Sequence, residues 1–435
     1  MIATLLTISV IGLLIAASQA WWRSLFNPVT LGLLAWTPGL IMMNWPPYFL
    51  SPLYIHLNRP LYPLLYVALA IAFLSFWAGC ATVKALSPAT AYLRDPEKLR
   101  WRANLPRTIV LFAVGLAVFV YAYFNSGLLD MQNLDEVGVA ESRVRLHFGW
   151  ASFLILFMDI AGILMFSRFL QRGNIVYGLP ILIALMCQGA TLQKSRFLFL
   201  ILGCVFVACL YPRQTYQIFL SSLPRKLLVV SIAVGSLLAL VGMNAARGIA
   251  VVQMTSASSP LLEQLYIYSN ASAIQNVSVT LEGYMPSDPP GLGIYLLRPI
   301  FWHILDRDLF FATRYFEGVN AATYLIYGWA DFRWLGFFVF PFALGAVSML
   351  CIRAALGGSL IGMMLGVIQL QAVIYSPGTD VMFDPTASIF IALSLLAWLL
   401  VDYNPRRTRA AAGVPAYPPV AAPRGVSPAR LPARP

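Results

Sequence analysis

The residues with most to offer chemically are cations set between long apolar runs. Arg143, Arg145, Lys194, Arg196, Arg247, Arg298 and Arg314 lie in polar segments at 125–150, 191–196 and 247–331. A guanidinium group binds phosphate oxygens in pairs through a planar fork. Tyr315, Tyr324 and Trp329 stand among these cations, with His303 and Glu317 as groups able to take a proton. Such a set suits a diphosphate that carries a sugar. Arginines offset the charge of the departing phosphate without a metal, and a histidine or carboxylate accepts the proton of an attacking hydroxyl.

The three segments differ in character. Glu141, Arg143, Arg145 and His147 alternate, so an extended loop would set them on one face. Lys194 and Arg196 form a tight turn between two short apolar runs. Either both side chains reach up to lipid phosphates, or the turn lies below the headgroups and requires an anionic partner. Asp159 sits inside an apolar run, where a carboxylate serves as a bond between helices or as a functional group. His56, His147 and His303 are scattered, and no cysteine pair has ligand spacing with a histidine. No metal or other cofactor is therefore expected. The five cysteines fall in apolar runs and read as small buried hydrophobes.

The elements that must position these groups are membrane helices. Of 435 residues, 60% are hydrophobic and 11% charged, against roughly 25% charged in a soluble domain. The pattern predicts an all-α, polytopic integral membrane protein with about eleven spans. They fall near 2–20, 29–43, 61–83, 108–125, 150–168, 175–190, 196–211, 227–246, 334–352, 356–375 and 386–402. The first lacks a basic leader and is expected to be retained, with its N-terminus outside.

Charge distribution sets the orientation. With that topology nineteen of the 29 Lys and Arg residues face the cytoplasm, against Asp95, Glu97 and Asp402. The positive-inside rule favours this arrangement over its inverse. The net charge of +12 is thus a signal of topology and implies no nucleic-acid partner. Residues 1–403 form the membrane domain, with a large outer loop at about 247–333. Residues 404–435, rich in Pro, Ala and Arg, read as a disordered cytoplasmic tail. Within the loop, Leu261–Val279 reads as an amphipathic or re-entrant helix at the interface. Pro286, Pro289, Pro290, Gly291 and Gly293 then break the chain. Asp306, Asp308, Glu317 and Asp331 are possible partners for the arginines.

This pattern resembles the Wzy-type O-antigen or oligosaccharide repeat-unit polymerases. The resemblance rests on Glu141-Ser142-Arg143, on Lys194-Ser195-Arg196 opening an apolar span, and on Arg247 closing one. It continues from Gly318–Asn320 through Ala321-Ala322-Thr323-Tyr324, Tyr327, Asp331-Phe332 and Leu335-Gly336. It implies a GT-C-like membrane glycosyltransferase in the bacterial inner membrane. Such an enzyme moves a growing glycan from undecaprenyl diphosphate onto a new lipid-linked repeat unit, alongside a chain-length regulator. In that frame Arg143, Arg196, Arg247 and Arg314 hold one or both diphosphates. His303 or Glu317 is the base, and Tyr315, Tyr324 and Trp329 pack the sugars. An O-antigen ligase would share the donor and differ in acceptor. A lipid-linked oligosaccharide flippase would need the same anion pocket, but no two similar halves are visible. A membrane O-acyltransferase is kept open by His147 and His303.

Overall fold

Helices account for nearly all regular structure in the computed structural model, which describes residues 2–22, 27–43, 61–86, 103–126, 150–191, 194–210, 271–284, 291–301, 323–378 and 385–402, with a few isolated positions between. The main helices are α1 (Ile2–Trp22), α2 (Pro28–Met42), α3 (Leu64–Ala85), α4 (Leu105–Ser126), α5 (Ile155–Arg172), α6 (Leu179–Ala190) and α7 (Lys194–Leu210). After them come α8 (Ala271–Val279), α9 (Tyr324–Phe332), α10 (Gly336–Leu356), α11 (Leu360–Tyr375) and α12 (Pro385–Val401). Each predicted apolar run coincides with one of these, except 227–246, most of which lies outside the described residues. So do the 127–149 loop and the 404–435 tail.

The protein is an all-α, polytopic membrane protein. Four stretches, Leu64–Ala85, Leu105–Ser126, Ala151–Arg172 and Tyr324–Leu356, are long and apolar enough to cross a bilayer. At about 1.5 Å per residue, 22 residues match a hydrocarbon core of roughly 30 Å. One side of α4 leaves Val110, Tyr121 and Phe124 more than half exposed. An apolar face left uncovered by the bundle suits lipid. In contrast, α5 is buried on every side from Ile155 to Ser167, so other helices surround it.

Two packing cores share α10 and α11. The first gathers α4, α5, α6, α7 and α12 around residues such as Phe169, Phe206 and Ile181. The second gathers α1, α2, α3, α8 and α9 around Trp36, Phe73 and Phe337. Val367 and Ile368 of α11 belong to the first, and Ala372 and Val373 to the second. In the second core α3 and α10 cross backbone to backbone. A Cβ on Gly345 would press on the Phe76 carbonyl, and one on Gly79 would press on that of Phe342. Only glycine lets the helices approach so closely.

The start of α4 and the ends of α5 and α12 meet at one end of the bundle. Ala103 pairs with Asp402, and the Asn104 N–H donates to the Val401 carbonyl at 2.8 Å. Arg168 donates to the Ala103 carbonyl, and Arg107 to that of Leu400.

Two elements refine the sequence expectation. Within 261–279 the helix described is α8, and Ala271 and Ala273–Leu281 are buried. Residues 261–270 and the Ser272 side chain lie outside the described residues, and burial of the rest is compatible with the re-entrant alternative. The polar residues Gln275, Asn276, Ser278 and Thr280 all face protein, and Ser278 Oγ accepts the Tyr62 N–H at 2.7 Å. The second is α9, which lengthens the ninth apolar run on its N-terminal side. Its helical path begins at Tyr324 and bends through a 3-10 turn at Arg333–Leu335 before α10. Asp331 disguised it. That carboxylate looks foreign to an apolar helix, but the backbone satisfies it.

Candidate functional site

Around α9, Asp331 is fully buried. Its Oδ1 accepts the Tyr295 N–H at 3.0 Å and its Oδ2 the Leu296 N–H at 2.7 Å. In the same turn the Ile294 N–H donates to the Gly291 carbonyl at 3.2 Å. The arrangement requires a left-handed backbone at Leu292 (φ 51°) and Gly293 (φ 101°). Successive N–H groups turned inward form a nest for an anion, and here a side chain of the same protein fills it. Gly291 and Leu292 N–H groups bind the Ala330 and Asp331 carbonyls, which closes the turn onto α9.

That turn delivers Arg298. Its guanidinium carbon lies 4.7 Å from the centre of the Tyr327 ring, within cation–π range, and Tyr295 packs on Tyr327 at 5.7 Å. Trp329 is half-buried, with Trp334 and Phe337 against it at 5.7 and 5.8 Å. Arg333 lies 5.8 Å from the Trp329 ring. Tyr324 is 4% exposed and meets Trp36 edge-on, so its ring is part of the core wall. Arg298 thus lies by Tyr327, Trp329 by Trp334 and Phe337, and Tyr324 by Trp36.

Arg196 belongs to the other core. It lies in the first turn of α7, partly buried, and Lys194 opens that helix. Arg196 is close enough to Asp159 of α5 for the two charges to act on each other. Asp159 is completely buried. The Gln188 Nε2 amide of α6 donates to both carboxylate oxygens, at 2.9 and 3.0 Å. Thr191 Oγ bonds the Gln188 carbonyl at 2.8 Å and tightens the end of α6. An ionised carboxylate in low dielectric costs several kcal/mol unless it is paired and hydrogen-bonded. Here Gln188 supplies the bonds.

The first turn of α7 is the positive end of a helix dipole, and Arg196 stands in it. The sequence marked Asp159 and Arg196 separately and passed over Gln188. The available signal was an amide inside an apolar run, six residues before Lys194. The side chain of Lys194 lies outside the described residues. So do Arg143, Arg145, Arg247, His303, Arg314, Tyr315 and Glu317 in full.

No protein-family model matches the chain, and neither a curated protein nor a solved structure matches it.

Proposed function

We propose that this chain is a metal-independent membrane glycosyltransferase that polymerises undecaprenyl-diphosphate-linked oligosaccharide repeat units. In this reading it has a GT-C-like fold of about eleven spans in the bacterial inner membrane. The N-terminus is outside, and the charged loops form the site on the outer face. The observation that carries the reading is Arg196, partly buried at the first turn of α7, on a helix that packs beside α5 and its buried Asp159. This preorganised cation at a helix N-terminus suits phosphate oxygens better than a mobile surface charge does.

The proposed reaction is a glycosyl transfer. The acceptor hydroxyl oxygen attacks the anomeric carbon of the donor sugar. The bond from that carbon to the diphosphate oxygen breaks, and lipid diphosphate leaves with the electron pair. The base, His303 or Glu317, takes the hydroxyl proton. Arg196, joined by Arg143, Arg247 and Arg314, stabilises the charge that grows on the leaving group. Arg145, Lys194 and Arg298 add to the field around it. Trp329 and Tyr315 pack the sugars, while Tyr324 holds the wall behind them.

The test separates binding from folding. Arg196→Lys keeps the charge that Asp159 needs but loses the planar fork. Removing one donor to a developing anion costs about 100-fold or more in rate. Cells with R196K are expected to keep normal protein levels and accumulate single lipid-linked repeats, seen on a glycan gel. Polymer of normal length and amount from R196K would contradict the assignment. Free polymer beside unmodified lipid A core in the null strain would point to a ligase.

A further inference from the structure

We infer that Asp159 and Gln188 form a proton-binding site inside the bundle, with an ionised and a protonated state that differ by a turn of the Gln188 amide. The site stands apart from the reaction proposed above. Helix packing brings the pair together. Gly162 of α5 lies against Ile181 and Ala184 of α6. Asp159 is about one turn before Gly162, and Gln188 about one turn after Ala184. Both side chains are 0% exposed, so bulk water solvates neither.

The hydrogen bonds describe the ionised state. Gln188 Nε2 donates to both Asp159 oxygens, at 2.9 and 3.0 Å. Gln188 Oε1 is buried and accepts no hydrogen bond among the described residues. A buried acceptor without a donor is a cost that folded proteins mostly avoid. Asp159 can supply the donor by taking a proton, since a carboxylic acid carries one O–H and keeps an acceptor oxygen. A hydronium ion gives its proton to one carboxylate oxygen and leaves as water. When the Gln188 amide then turns, the Asp159 O–H donates to Oε1, and Nε2 donates to the other Asp159 oxygen. Two hydrogen bonds close a ring between acid and amide, and Oε1 is satisfied.

Few other groups act on the pair. Arg196 of α7 and Cys187 of α6 are the titratable neighbours whose charge interacts with Asp159. The remaining titratable groups of α7 are Lys194, Cys204 and Cys209, and both cysteines lie more than two turns beyond Arg196. On α4, Gly115 meets Met158, and the surrounding Leu111–Phe119 holds no titratable side chain. None stands in α12 or in the 150–154 turn. Arg168, Arg172 and Tyr177 are at the far end of α5. Arg196 favours the ionised state, and the donor that Oε1 requires favours the protonated one. No second carboxyl group lies on α4, α5, α6, α7 or α12 to take the proton instead.

Infrared spectra of the purified full chain in detergent, recorded between about pH 5 and pH 8, read the carboxyl group directly. The wild type is expected to show a carboxylic acid C=O band that Asp159→Asn lacks and that gives way to carboxylate absorption as the pH rises. Gln188→Leu removes the hydrogen-bond partner, so the band is expected to move to higher frequency. Asn at this position keeps one donor and one acceptor for Gln188, so D159N is expected to melt within about 3 °C of the wild type. Asp159→Leu keeps neither and is expected to melt lower. Absence of the band across that range, or a D159N protein that melts well below the wild type, overturns the proton site.

Discussion

Asp331 shows how a charged residue is made welcome in an apolar helix. Its two oxygens collect backbone N–H groups from the 291–297 turn. Hydrogen bonds to a charged group contribute about 1.5–3 kcal/mol each. Asp331→Ala would leave those N–H groups buried without their acceptor and is expected to destabilise the protein by about 2–4 kcal/mol. Hydrogen exchange across 291–298 should rise with it, because the turn loses its anchor. Unchanged exchange there would show that the Gly291 and Leu292 bonds to the Ala330 and Asp331 carbonyls suffice. At this scale the sequence was half legible. Asp159 and Arg196 stood out because charges are rare in apolar runs. That their helices lie side by side did not, since Asp159 is 37 residues from Arg196 and only folding brings α5 beside α7. The partners of Asp331 were illegible because backbone donors leave no trace in residue type.

At the scale of elements, length and apolarity carried most of the information. A run of about 20 apolar residues has few alternatives to a membrane helix, and the described helices follow the runs closely. Less was legible where polarity interrupted a helix. Asp331 placed α9 with the outer loop, and the polar residues of 261–279 left an amphipathic and a re-entrant helix equally open there. Burial by tertiary packing leaves no mark in either pattern. Close helix crossing makes a sharper test of the packing. A side chain at Gly345 would collide with the α3 backbone. Gly345→Leu is expected to lower stability in detergent by about 3 kcal/mol, at the upper end of overpacking costs. Gly12 of α1 has open space where a Cβ would sit, so Gly12→Ala is expected to be neutral or stabilising by up to ~1 kcal/mol. Equal behaviour of the two variants in a thermal melt would contradict the α3–α10 crossing.

Among the described residues two cores are joined through α10 and α11, with Arg196 beside one and Arg298 beside the other. The Arg196 region rests on α5, α6 and α7, and the Arg298 region on α9 and its turn. In this account the polar loops bring Arg143, Arg247 and Arg314 to the same outer face. That convergence was proposed from charge and topology, since those residues lie outside the described segments. The central claim concerns chemistry at that face. It is tested most directly with the purified chain in lipid nanodiscs and a defined undecaprenyl-diphosphate-linked repeat unit as the sole substrate. The account predicts a ladder of glycans at whole multiples of the repeat, with one undecaprenyl diphosphate released per new linkage. R196K should show about 100-fold less of either product. A substrate that remains a single repeat, with no undecaprenyl diphosphate released by the folded wild type, would contradict it.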